Sequence, residues 1–204
     1  MTNILVIESS AGGDASVTKL LVGEALAGLL AANPAANVTR HDLGLNPVPH
    51  VTAENLAGLR GEPVTAAEKA TRALSDKLVA ELKAADVILV GAPMYNFGVS
   101  TVLRSWFDHV LRAGLTFTYS EAGPKGLLEG KHAIVIEARG GLYSEGPAKE
   151  IDFQEPYLRQ LFGFIGVTDV TFVHAEKIGY GPDARAAAID GAKATLAAIT
   201  AVAA

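Results

Sequence analysis

Pro93-Met94-Tyr95-Asn96-Phe97-Gly98 is the segment whose residue types point most directly to chemistry. Pro93 stiffens it, Tyr95 and Phe97 offer flat apolar surface, and Asn96 with the backbone amides offers polar groups. That mixture suits a large planar heteroaromatic with polar edges better than a metal ion or a bare phosphate. A second set, Ser9-Ser10-Ala11-Gly12-Gly13-Asp14-Ala15-Ser16-Val17-Thr18, is rich in small and hydroxyl residues. Ser16 or Asp14 can cap a following helix, whose free amides attract an anion. Hydroxyls of Ser10, Ser16 and Thr18 would complete a phosphate cradle, and the set contains no lysine or arginine. Neutral donors of this kind suit one terminal phosphate held without a metal, although an ordinary capped turn reads equally well. The third set is Ala138-Arg139-Gly140-Gly141-Leu142-Tyr143. Its paired glycines let a backbone approach a ligand closely; alone, they would be read as a plain turn.

Each set follows a run of apolar residues. Ile4 to Ile7 reads as a first strand and Val17 to Ala32 as an alanine-rich helix ended by Asn33-Pro34. Asn37 to His41 alternates polar with apolar residues, as an edge strand does. His41 to Pro63 reads as a long irregular stretch. Thr65 to Ala84 is a helix opened by a capping box, Thr65 with Glu68. Asp86 to Gly91 is a buried strand and Ser100 to Arg112 a helix. Leu115 to Tyr119 and Gly123 to Leu127 flank a polar turn and read as a hairpin or flap. Lys131 to Glu137 and Thr168 to His174 complete the strands; Phe153 to Phe164 and Pro182 to Val202 complete the helices.

Strands alternating with helices predict an α/β fold, a parallel sheet covered on both faces. Five strands fit a flavodoxin-like three-layer α/β/α arrangement of order 2-1-3-4-5 better than the six-stranded dinucleotide fold. The whole of residues 1–204 reads as a single domain. In such a sheet the loops after the first, third and fourth strands converge at one rim. The hydroxyl, aromatic and glycine sets would then surround one ligand, with a partner each for a phosphate, a tricyclic ring and a ring edge. FMN has those parts. Neither a Gly-x-Gly-x-x-Gly nor a Gly-x-x-x-x-Gly-Lys-Ser/Thr loop is present.

Further motifs carry a resemblance. Pro93-Met94-Tyr95-Asn96-Phe97 and Arg112-Ala113-Gly114-Leu115-Thr116-Phe117-Thr118-Tyr119 are joined by Arg139-Gly140-Gly141, Leu161-Phe162-Gly163-Phe164-Ile165-Gly166 and Tyr180-Gly181-Pro182. With these, nearly end to end, the chain resembles the bacterial FMN-dependent NADH-azoreductases, also described as flavin-dependent NADH:quinone oxidoreductases. The resemblance implies FMN contacts at Ser10, Ser16, Val17, Thr18, Met94, Tyr95, Asn96, Phe97, Ala138, Arg139, Gly140 and Gly141. It implies ping-pong hydride transfer from NADH, with NADPH left open, to a quinone or an azo dye. The catalytic contacts would be the amides of Asn96, Gly140 and Gly141. Phe97, Tyr119, Tyr143 and Phe162 are candidate walls of the substrate slot, completed across a homodimer; core packing is the competing role for Phe162 and Phe164. Ala138 stands where relatives often carry serine, and Tyr143 where they can carry histidine.

Composition narrows the classes. A net charge of −5 disfavours nucleic acid or an anionic membrane as the main partner. The sequence has no cysteine, so disulfides, thiolate catalysis and cysteine metal sites are excluded. The five histidines lack ligand spacing, and no metal site is expected. Without a signal-like lead or a membrane-length apolar run, the expectation is a cytoplasmic protein. Three rivals stay open: a flavodoxin-type electron carrier, a flavin-binding regulatory subunit and a serine hydrolase. The last lacks a nucleophile elbow around Ser100.

Overall fold

The computed structural model describes residues 1–121 and 123–202. Its strands are β1 (Asn3–Glu8), β2 (Asn37–Asp42), β3 (Val87–Pro93), β4 (Phe117–Ser120), β5 (Gly123–Gly126), β6 (His132–Ala138) and β7 (Asp169–Ala175). Its α-helices are α1 (Val17–Ala32), α2 (Leu56–Arg60), α3 (Ala66–Ala84), α4 (Thr101–Val110), α5 (Glu155–Ile165) and α6 (Pro182–Val202). Five strands form one parallel sheet in the order β2-β1-β3-β6-β7. β4 and β5 pair antiparallel as a separate hairpin. The expected order, 2-1-3-4-5, therefore becomes 2-1-3-6-7, because the hairpin is inserted between the third and fourth strands of the sheet.

Side chains of a strand alternate between faces, and here both faces are covered. Leu5, Ile7, Ile88, Val90, Ala133 and Val135 meet Leu78 and Leu82 of α3, Trp106 and Phe107 of α4, and Leu158 and Phe162 of α5. Ile4, Val6, Leu89, Ile134 and Ile136 meet Leu21, Val22 and Leu29 of α1 and Ile189 and Leu196 of α6. This is why β3 and the middle of β6 are apolar throughout. β2, paired on one side only, keeps Asn37 to Arg40 exposed.

Local signals explain the helix bounds. Ser16 caps α1 by accepting from the Lys19 N–H at 3.2 Å. Thr65 and Glu68 form the expected reciprocal capping box of α3. Gly166 closes α5 in a left-handed conformation, φ 97°. The stretch from His41 to Pro63 is less irregular than expected, since it contains α2. Gly58 lets α2 lie against α3: a Cβ there would stand 2.4 Å from the Glu68 carbonyl oxygen. Arg72 holds the same helix by donating to the Gly58 and Gly61 carbonyls at 2.5 and 2.7 Å. Two 3₁₀ turns, Gly13–Ala15 and Pro147–Ile151, were also not foreseen. No described helix is long and apolar enough to cross a membrane.

Candidate functional site

The carboxyl ends of β1, β3 and β6 open onto the hydroxyl, aromatic and glycine loops. Direct contacts join them. The Met94 N–H donates to the Ala138 carbonyl at 2.9 Å. The Ala11 N–H donates to the Tyr95 hydroxyl at 3.0 Å, and Ser10 Oγ lies 3.4 Å from the same oxygen. The rings of Phe97 and Tyr143 meet edge to face at 6.3 Å.

In the hydroxyl loop, Ser10, Ser16 and Thr18 are buried. Ser16 Oγ and Thr18 Oγ1 share a hydrogen bond of 3.0 Å. Val17 and Thr18 open α1, so their N–H groups have no acceptor one turn back. Lys19 does not complete an anion site, because Asp42 binds its ammonium at 2.6 Å. That hydrogen bond also raises the lysine pKa. The donors left within the loop itself are neutral, while Arg185 of α6 reaches the Ala15 carbonyl at 3.5 Å.

The aromatic loop is a tight turn. Tyr95 and Gly98 exchange both backbone hydrogen bonds, at 2.9 and 3.1 Å. Asn96 and Phe97 between them have φ of +48° and +71°. Asparagine tolerates this left-handed region; phenylalanine there is strained by about 1–2 kcal/mol. The turn leaves Tyr95, Asn96 and Phe97 exposed. Among the described residues the Asn96 N–H donates to nothing.

In the glycine loop the carbonyls of Arg139, Gly140 and Gly141 accept from Ile178, Gly179 and Lys177. The Gly140 and Gly141 N–H groups find no acceptor among the described residues. A Cβ at Gly140 would meet open space. Backbone donors thus line the rim on both the aromatic and the glycine side.

Below the rim lies a charge network that the sequence did not suggest. Arg139 is fully buried and paired with Glu137, with Asp152 at 3.1 Å and with Glu176 at 3.3 Å. Its side chain therefore points into the protein, which corrects the expectation of Arg139 as a cofactor contact except through its backbone. His174 lies 3.1 Å from Glu137 and 2.9 Å from Glu155. Burial pushes the Glu137 carboxyl above the usual carboxylate range. The hydrogen bond to Glu137 raises His174. Glu137, Glu155 and His174 bring three ligand-type atoms within 4.8 Å, but Arg139 already supplies positive charge there. One signal was present: Glu8 and Glu137 each stand at the end of an apolar strand, and each is buried beside an arginine.

Other predicted residues lie elsewhere. Phe162 has no exposed surface and packs edge-on against Phe107 at 5.5 Å. It belongs to the core, not to a slot wall, because the buried face of α5 carries it. Tyr119 is 71% exposed on β4. It lines a cleft of about 610 Å³ with Leu59, Arg60, Arg72, Arg112 and Phe164, and no residue of the three loops lines that cleft. His109 is buried, with Nε2 3.0 Å from the Pro49 carbonyl, and burial lowers its pKa. It packs α4 against the stretch between β2 and α2.

A family profile described as "Flavodoxin-like fold" matches residues 2–199. The FMN-dependent NADH:quinone oxidoreductase of Hyphomonas neptunium is 64% identical over 197 residues, spanning 97% of this chain and 95% of that protein. The FMN-dependent NADH:quinone oxidoreductase 3 of Pseudomonas aeruginosa is 50% identical over 188 residues, spanning 91% and 86%. A crystal structure of azoreductase from Bacillus anthracis superposes with a TM-score of 0.89 at 30% identity, covering 98% of this chain and 99% of that one. With the three-loop rim on a five-stranded parallel sheet, these likenesses carry one conclusion: the chain belongs to the flavodoxin-like family of FMN-dependent NADH:quinone oxidoreductases.

Proposed function

We propose that the chain is a cytoplasmic, homodimeric FMN-dependent oxidoreductase acting as one domain over residues 1–204. It transfers two electrons from NADH to quinones, and in two such cycles, using two NADH, it cleaves azo compounds to aromatic amines. The cycle is ping-pong, with NADH and the acceptor using one slot in turn. The observation that carries this reading is the rim itself, where the amides of Asn96, Gly140 and Gly141, without an acceptor among the described residues, stand on loops joined to a hydroxyl-lined helix end.

These residues fit FMN. The neutral donors of Ser10, Ser16, Val17 and Thr18 would hold its phosphate. Met94 to Phe97 would flank its ring, with the Asn96 amide toward the hydride-accepting edge. The Gly140 and Gly141 amides would meet the pyrimidine side, where fixed donors favour negative charge. Bound there, FMN supplies reversible two-electron chemistry that no side chain of this protein can perform. Phe97 and Tyr143, both at the rim, would orient the nicotinamide or the acceptor and exclude water beside it. Tyr119 and Arg60 would contribute from the second copy. Solvent supplies the proton that follows the hydride onto the acceptor, so no protein acid is required.

The test is an anaerobic visible spectrum of the purified protein with FMN, then with NADH, then with a quinone. The expected result is a bound-flavin spectrum that NADH bleaches and quinone restores. Bound flavin that NADH leaves unbleached would favour the electron-carrier alternative, and absence of flavin binding would remove the reading altogether.

A further inference from the structure

Arg139 reaches both loops that carry the free amides. Through Glu176 it is one step from the far end of the glycine loop: Glu176 Oε1 accepts from the N–H of Tyr143 at 2.8 Å and of Ser144 at 3.0 Å. Through Gln154 it is one step from the root of the aromatic loop. Arg139 Nε donates to Gln154 Oε1 at 3.3 Å, and Gln154 Nε2 donates to the Ala92 carbonyl at 2.9 Å. Asp152 also binds Arg139, and the neighbouring Phe153 N–H donates to the Phe97 carbonyl at 3.1 Å, at the tip of the same turn. Glu137, a further partner beside Glu155 at 3.8 Å, lies in β6 directly before the glycine loop.

We infer that Arg139 is a positioning residue that locks the aromatic and glycine loops in one register, so that the amides of Asn96, Gly140 and Gly141 address the same ring together. The inference rests on the FMN reading above. A planar guanidinium suits this task because it holds several acceptors in fixed directions, as a lysine ammonium cannot. Its burial matters as well: no water can take the place of a partner lost from the guanidinium itself. Gln154, Asp152 and Glu176 come from segments on either side of α5 and β7, so a single side chain ties the two rim loops through two separate parts of the chain.

The test uses the full chain with Arg139→Lys and, separately, Glu176→Ala. In FMN-free protein, hydrogen exchange over residues 94–98 and 138–144 is followed by mass spectrometry. Arg139→Lys is expected to raise exchange in both segments together by about tenfold or more, and Glu176→Ala in the glycine segment alone. In FMN-loaded protein, Arg139→Lys should make the flavin potential more negative. It should slow anaerobic bleaching at saturating NADH by about tenfold, with a smaller change in KM. A folded Arg139→Lys protein whose exchange and bleaching rate stay within about twofold of the parent, with the flavin potential unshifted, overturns the inference, even if it melts earlier. If that variant does not fold, Glu176→Ala decides: glycine-segment exchange and bleaching within about twofold of the parent overturn it equally. A parent protein that NADH cannot bleach overturns the function proposed above, while the exchange comparison still decides the loop lock.

Discussion

Tyr95 shows how one hydroxyl can organise a binding rim. Its oxygen receives the Ala11 N–H and faces Ser10 Oγ, so the aromatic loop holds the hydroxyl loop in place. Tyr95→Phe removes both contacts and leaves the ring. One such hydrogen bond contributes about 1 kcal/mol, so FMN affinity should fall about five- to tenfold, read by fluorescence titration, with little change in melting temperature. Phe97 makes a different argument, from strain. Phe97→Gly relieves the cost of its positive φ while losing the edge contact with Tyr143, and these nearly offset. Phe97→Val, branched at Cβ, should instead destabilise by about 1–2 kcal/mol. Urea midpoints of the two variants would separate in that order; equal midpoints would mean the turn is not strained. Asn96→Pro, an obvious way to delete the amide, is ruled out as a clean probe because proline cannot adopt φ of +48°.

At the scale of elements, the turn after β2 supports the hydroxyl loop from below. A Cβ on Gly44 would stand 2.1 Å from the Ser10 carbonyl oxygen. Gly44→Ala must therefore push Ser10 away, at a cost of about 1–3 kcal/mol in stability and with weaker FMN binding. Unchanged flavin affinity would show that the Ser10 segment is not part of the phosphate cradle. The larger elements were legible in the sequence wherever a cap or a long period marked them. Ser16 and Pro182 begin helices at the residues expected, and Val17–Ala32 and Pro182–Val202 match their predicted bounds. The helix α2 escaped because it spans five residues, too few for a periodic pattern, and carries a glycine at its centre. The three rim loops were legible as residue types, since each follows an apolar strand. Their mutual hydrogen bonds were not, because they depend on which strands are neighbours.

The charge network beneath the rim is a property of the whole molecule. Glu137 and His174 are cross-strand partners in the β6–β7 register, although 37 positions separate them in the chain. No local pattern announces such a pair, and the resemblance alone carried Arg139 into the set of cofactor contacts. Phe162 misled for a related reason: a motif residue on the inner face of α5 looks the same in sequence as one on a slot. The network also sets a pH dependence. His174 has its pKa raised by the hydrogen bond to Glu137, with Arg139 and Glu155 as its other charged neighbours. The folded state therefore keeps a proton that the unfolded chain releases near the ordinary histidine value of 6.5. Its contribution to stability is complete below that pH and is lost as pH rises through the raised folded value. Glu137, raised by burial, has the same sign from its ordinary value of 4.5 upward. Melting temperature should decline above pH 6.5 in the parent and decline less steeply in His174→Gln. Parallel slopes would remove His174 as the responsible group.

The sheet ends on β2, whose exposed residues are polar: Asn37, Thr39 and Arg40 flank the single apolar Val38. Arg40 is tied back to Glu8 and His41 to Glu81, so polar and charged side chains border the open backbone edge. An edge of this kind resists recruiting a strand from another chain. The protein is thereby guarded against sheet-to-sheet aggregation on this side, while β7 forms the opposite edge of the sheet.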